Sequence, residues 1–135
     1  MLNKIDGVLD FHAQALKLRA ERQRTLASNI ANSDTPNYKA VDFDFSSALK
    51  ATTSASSVNT STLAATDSRH IQGGAGPLSG ADMKFRIPTQ LALDGNTVEM
   101  DMERAQFADN AIRYEATLKF LNMQIKSLST AIQGQ

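Results

Sequence analysis

The chain has 135 residues and a mass of 14.6 kDa, enough for one domain, and its hydrophobic share of 41% is modest for a compact core. Lys plus Arg equals Asp plus Glu at 14 each, so no global field draws it to nucleic acid or to an anionic membrane, and the absence of cysteine rules out a disulfide framework or a thiolate metal site. No stretch approaches about 18 apolar residues, which excludes a membrane-spanning helix, and Met1 to Asp6 lack the marks of a cleaved secretory signal.

From Leu2 to about Ala31 nothing but Gly7 interrupts a helical pattern. Leu2, Ile5, Leu9, Leu16, Leu26 and Ile30 form one heptad stripe, diluted by His12, Arg19 and Gln23. Val8, Phe11, Ala15 and Leu18 form a second stripe beside it, so this helix is expected to touch more than one neighbour. The stretch Ala31-Asn32-Ser33-Asp34-Thr35-Pro36-Asn37-Tyr38 then reads as a stop and turn. Asn32 is the candidate left-handed residue after the helix, and Pro36 holds Thr35 extended. Val41, Phe43 and Phe45 alternate with Asp42 and Asp44, the pattern of a short strand or an apolar strap.

Between about residues 46 and 80, Ser, Thr, Ala and Gly dominate, which predicts a flexible insert with at most one helical turn at Ser46 to Lys50, capped by Ser46. Asn59-Thr60-Ser61 is read as an incidental match to a glycosylation acceptor. Alternation resumes at Met83 to Pro88, Leu91-Ala92-Leu93 is again apolar, and Asp94-Gly95-Asn96 predicts a tight turn.

A last helix is expected from about Met100 to Ile132, with Asp101 as its cap within about two residues. Phe107, Ala111, Tyr114, Leu118, Leu121, Ile125, Leu128 and Ile132 follow an unbroken 4-3-4-3 spacing, the seam of a coiled coil. Asp109, Asn110, Arg113, Glu115, Lys119, Asn122, Lys126 and Ser127 are expected to face water. Such a two-faced helix needs a partner. At about 1.5 Å per residue the two terminal helices run roughly 43 and 50 Å, lengths that permit pairing with each other. The predicted organisation is a helix within 1–33, a turn, extended segments and insert over 34–96, and a helix within 97–135. The fold class is mainly α: two long terminal helices paired as an antiparallel coiled-coil hairpin, with a mostly irregular or extended middle and short strands.

Catalytic chemistry finds no support. His12 and His70 are far apart in the chain, no Gly-x-Ser-x-Gly elbow or phosphate-binding glycine loop occurs, and no carboxylate pair is nominated, so catalytic, cofactor-binding and metal residues are all expected to be absent. Lys17, Arg19, Arg22 and Arg24 form a basic cluster interrupted by Glu21. Without aromatic interleaving it reads as a solvated face or as partners for acidic residues, with Glu103 and Asp109 near it in an antiparallel pairing. Asn29 and Asn32 are either amides that set register beside a seam or simply residues that end the helix, and both readings stand.

Leu26-Ala27-Ser28-Asn29-Ile30-Ala31-Asn32, followed by Thr35-Pro36 and Tyr38, closely resembles the N-terminal signature of bacterial flagellar rod and hook proteins. Asp42 to Phe45, Leu93 to Val98 and Glu103 to Asn110 occur in order and make the arrangement similar to that of proximal rod subunits. The resemblance covers about residues 1–50 and 83–135, not the insert. Many relatives place glycine where this chain has Asn37, a residue that tolerates positive φ.

The resemblance implies a structural, non-enzymatic subunit that polymerises helically around a central channel. Its expected partners are copies of itself, other flagellar rod proteins, the adaptor at the MS ring and the export gate at the rod base, with no nucleic acid and no small-molecule substrate. It implies export through the flagellar type III channel without a cleaved signal peptide. Phe107, Leu118, Leu121, Ile125 and Leu128 are expected to pack against Leu9, Leu16 and Leu26, while Val8, Phe11 and Leu18 face a neighbour. The alternatives are a non-polymerising helical-hairpin adaptor or export chaperone, and an enzyme acting on peptidoglycan.

Overall fold

The computed structural model describes residues 2–55, 81–90 and 92–134, with the side chains of residues 2–5 and 55 outside that description. The acceptor match at Asn59, His70, the glycine run at 73–77 and Leu91 therefore lie outside the described residues. In chain order the elements are α1 (Leu2–Ala31), β1 (Val41–Asp42), α2 (Phe45–Ala55), β2 (Lys84–Phe85) and α3 (Met100–Gln133). The chain is mainly helical, with two long terminal helices and short strands. Helix α1 is the hub, packing against α3, α2 and β1.

The strand expected over Val41 to Phe45 is shorter than its alternation suggests. Only Val41 and Asp42 pair, antiparallel, with Phe85 and Lys84, and the Arg86 amide extends the pairing to the Ala40 carbonyl at 2.9 Å. Asp44 ends it. Its carboxylate accepts the amides of Ser46 and Ser47, both at 3.2 Å, which caps a helix and turns the chain out of extended form. Asp44 therefore takes the capping role assigned to Ser46, and the single turn expected at Ser46 to Lys50 is an 11-residue helix. Packing overrides composition there: Ala48 and Leu49 sit on Leu18 and Phe43, with Phe45 and Ala81 alongside. Leu18, expected to face a neighbour, is thus buried inside the chain.

At the end of α1, Asn32 does not take the left-handed conformation. Among the described non-glycine residues only Asn37 has positive φ, at 60°, while the Asn32 amide side chain donates back to the Ser28 carbonyl at 2.8 Å. The carbonyls left over past α1 are met instead by Asn96, whose side-chain nitrogen donates to Asn32, Ser33 and Thr35 at 3.0, 2.7 and 3.0 Å. The Thr97 amide donates to the Tyr38 carbonyl at 3.0 Å, and the Thr97 hydroxyl accepts the Ala40 amide at 2.8 Å. These bonds stitch the chain leaving α1 to the chain approaching α3. Helix α3 begins after Glu99, two residues before Asp101 and within the expected margin, and Glu99 caps it through no side-chain bond, because its carboxylate is taken by the amide and hydroxyl of Thr89.

Gly95 holds the predicted turn at φ +73°, and a Cβ there would lie 2.7 Å from the Asn37 Oδ1. Gly95→Ala is expected to destabilise the chain by about 1–2 kcal/mol. Gly7→Ala, at a helical position with nothing within 4 Å, should stabilise it by about 0.5–1 kcal/mol. Thermal unfolding followed by circular dichroism of the two variants checks both signs.

Candidate functional site

Among the described residues the fully buried large side chains are Leu26, Asn29, Glu103 and Asn110, three of them polar. A buried amide or carboxylate must find partners or destabilise the fold, so these residues dictate what surrounds them. Asn29, on the last turns of α1, donates to the Val41 carbonyl at 2.8 Å and to Glu103 Oε2 at 3.2 Å. Its oxygen accepts the Val41 amide and the Tyr38 hydroxyl, both at 3.2 Å. The other Glu103 oxygen receives Arg86 Nη1 at 2.9 Å. Arg86 Nη2 reaches Asp42 at 2.6 Å and Gln106 at 2.5 Å, and Arg22 completes the group with a two-pronged contact to Asp42 at 3.1 and 2.9 Å. Two arginines and two carboxylates thus form a charge-balanced node that ties α1, β1, the residue after β2 and α3 together.

Burial pushes the Asp42 carboxyl up, but hydrogen bonds from Arg22, the Phe43 amide and Arg86 outweigh it and hold the group below its ordinary value of 3.8. The bond to Asp42 holds the Arg22 guanidinium above its ordinary value, burial notwithstanding. Arg19 lies with its guanidinium carbon 4.1 Å from the Phe45 ring centroid. Of the basic cluster, then, Arg22 is a structural ion-pair partner and Arg19 a stacking one, while Arg24 makes an exposed pair with Glu21.

Two turns along α3, Asn110 donates to the Arg19 carbonyl at 2.9 Å and to Gln23 Oε1 at 2.6 Å. It is 1% exposed, contrary to its expected place on the water-facing side. Among the described residues its Oδ1 meets no hydrogen-bond partner, a condition that costs about 1–3 kcal/mol for a buried group left unmet.

The seam residues are less covered than this. Phe107, Leu121 and Leu128 are half-buried and Tyr114 is at the margin of exposure, whereas Ala111, Leu118, Ile125 and Ile132 are exposed, Ile125 by 51% and Ile132 by 85%. On α1, Leu9 and Leu16 are half-buried, and Val8 and Phe11 are exposed. Two apolar hollows open along the α1 and α3 surfaces. One of about 400 Å³ is lined by Ala20, Gln23, Arg24, Ala27, Phe107, Ala111 and Tyr114, and one of about 340 Å³ by Leu9, Ile125, Leu128, Ser129, Ile132 and Gln133. On another side of α3, Ile112, Phe120 and Met123 are also exposed.

The N-terminal signature divides. Leu26 and Asn29 are buried, Ile30, Asn32 and Tyr38 are half-buried, and Ala27, Thr35 and Pro36 face solvent. Sequence reasoning missed Glu103, Asn110, Asp42 and Arg86 as organising residues. The readable signal was spacing: Glu103 and Asn110 stand seven residues apart, each four before a seam residue. Arg86 carried none, since its partners lie 17 and 44 positions away. Among the described residues, no group of three or more His, Cys, Asp or Glu side chains could hold a metal ion, and no helix is long and apolar enough to cross a membrane.

The family model described as Flagella basal body rod protein matches residues 9–39. Over its length the chain is similar to the flagellar basal body rod protein FlgB of Escherichia coli (strain K12), 47% identical over 136 residues that cover 99% of each chain. It is similar also to FlgB of Salmonella typhimurium, 46% identical with 99% of each chain covered, and of Cereibacter sphaeroides, 46% identical with 94% covered.

The Asp42 carboxyl titrates lower folded than unfolded, so its contribution is complete above the unfolded value near pH 4 and is lost as the pH falls through the lower folded one. Urea titrations across that range should show acid loss of stability, and Asp42→Asn should remove part of it while lowering stability at neutral pH; an unchanged acid profile would clear Asp42 of the effect. Arg86→Leu strands the buried Glu103 and should destabilise the chain by about 3–5 kcal/mol in the same titration at neutral pH.

Proposed function

The chain belongs to the FlgB family of flagellar basal body rod proteins, and from that membership we propose that it is a structural subunit of the proximal rod. The observation that carries the reading is near-half identity over 99% of both chains. All the relatives above are named as rod components, which favours a rod subunit over an adaptor, an export chaperone or an enzyme on peptidoglycan, and favours a role without catalysis or cofactor.

The geometry supports a way of doing this. Contacts descend α1 as they ascend α3: Asn29 meets Glu103, Gln23 and Arg19 meet Asn110, and Leu9 shares a hollow with Ile125 and Ile132. That order supports an antiparallel hairpin whose two core helices lie within 1–33 and 97–135. Its seam is the coiled-coil surface that other helices complete, since the outer seam residues and Val8 and Phe11 are left exposed on the chain alone. Copies of the chain and other rod proteins fill that surface; the MS-ring adaptor and the export gate meet the rod at its base. Type III export without a cleaved signal delivers the subunit to the basal body across the periplasm, and a hairpin with so little enclosed core is suited to passage unfolded and to ordering on assembly. Asn29, Asn32, Pro36 and Tyr38 set the end of the first helix and aim the chain into the middle segment.

Leu121→Asp places a charge in the middle of the seam and should abolish incorporation into the basal body, scored by motility and by the subunit's presence in purified basal bodies. Normal assembly of that variant would remove the seam from the interface.

A further inference from the structure

Residues 81–90 lie across the node as a strap whose strongest hold is one side chain. The strand pairing there is two residues long, and the apolar side chains that alternate along the strap, Met83, Phe85 and Ile87, are all exposed, Ile87 by 90%. Its other holds include the Arg86 amide on the Ala40 carbonyl, Ala81 beside the apolar cluster and Thr89 on Glu99. The Arg86 guanidinium, by contrast, is 14% exposed and reaches three acceptors, Asp42 Oδ2 on β1 and Glu103 Oε1 and Gln106 Oε1 on α3. A guanidinium presents its donors in a fixed planar fork that suits such an arrangement and that an ammonium does not reproduce.

The three acceptors do not depend on Arg86 for their positions. Asp42 is held from elsewhere by Arg22 at 3.1 and 2.9 Å and by the Phe43 amide at 2.8 Å. Asn29 holds Glu103 at 3.2 Å, and Arg22 reaches Gln106 at 3.5 Å. Taking away the Arg86 side chain would leave two carboxylates facing the single guanidinium of Arg22, one positive charge short, with the buried Glu103 uncompensated. A hollow of about 470 Å³, lined by Arg22, Asp42, Phe85 and Arg86 among others, opens beside the group and supplies a path from solvent. We propose that Asp42, Glu103 and Gln106 form a guanidinium-binding site that Arg86 fills in cis, latching residues 81–90 to the helix pair, and that the same site takes a free guanidinium ion when the Arg86 side chain is removed. The proposal does not rest on the rod-subunit reading.

Arg86→Ala in the full chain vacates the site. Its thermal midpoint, followed by circular dichroism, should fall, and guanidinium chloride at roughly 1–50 mM should raise it with the logarithm of concentration and recover about half of the loss, because an ion that binds only the folded chain stabilises it by mass action. The parental chain, its site already filled, should show only the ordinary linear loss that this salt causes. Arg86→Ala combined with Glu103→Gln removes the charge that the ion answers, so its midpoint should not rise. Hydrogen exchange over residues 81–90 should quicken by about tenfold or more in Arg86→Ala and stay fast when the ion is added, since a free ion fills the site without tethering the strap. The site is overturned if the midpoint of Arg86→Ala does not rise, if sodium chloride raises it equally, or if the parental chain or the double variant rises as much. Should Arg86→Ala be unfolded on its own, the ion must restore its helical signal, and a variant unfolded at every concentration also overturns the site. Exchange over 81–90 that is unchanged in Arg86→Ala, or that slows again with the free ion, overturns the latch.

Discussion

A carboxylate withdrawn completely from water is the constraint on which the rest of the chain depends. Glu103 has no exposed surface, and a charge in that position is tolerable only if both oxygens are met. Asn29 supplies one partner and Arg86 the other, and Arg86 in turn holds Asp42, which Arg22 shares. Satisfying one side chain therefore brings together the end of α1, both short strands and the start of α3. The described stretches around Val41 and Arg86 strap that end of the helix pair, held by Arg86 and by the bonds of Asn96 and Thr97.

Away from that end the packing changes character. Asn110 bonds Gln23 and the Arg19 carbonyl between the long helices, while apolar residues on either side, Phe107, Leu9 and Leu128 among them, are only half-buried. Among the described residues only Leu18, Phe43 and Ala48, with their close neighbours, make an enclosed apolar cluster, and that lies on the α2 side of α1. A subunit built this way is specified in geometry at its closed end and left incomplete along its length. Both properties suit the proposed rod subunit: the node fixes how the two long helices meet, and the exposed apolar residues are area that the proposed neighbours would cover.

What could be read without coordinates was what depends on local order along the chain. Proline, asparagine and glycine at 32–37 and 94–96 placed the turns, and unbroken helical periodicity placed α1 and α3 within a residue or two of their observed ends. The basic cluster, by contrast, gave no hint that Arg22 pairs with Asp42 while Arg19 stacks on Phe45. Helix α2 was hidden because its Ser, Thr and Ala content resembles that of a flexible insert, and its stability comes from Ala48 and Leu49 packing on α1, a long-range effect. The Asn32 assignment failed for a similar reason: a residue 64 positions away took over the carbonyls at the end of α1, whereas the cap of α3 falls at Glu99, within two residues of Asp101.

The seam that spans Phe107 to Ile132 was legible as a heptad pattern, which is a statement about one face of one helix. Periodicity determines that such a face exists and that it must be covered. It does not determine the angle at which the helix meets α1, because that angle is decided by which side chains find partners across the contact. Glu103 and Asn110 find theirs in Asn29, Arg86, Gln23 and the Arg19 carbonyl, and hydrogen bonds to buried polar groups are directional and expensive to leave unmade, so they orient α3 on α1. The sequence by itself determined the two helices, their lengths and the family they belong to. The tertiary structure decided which way they face.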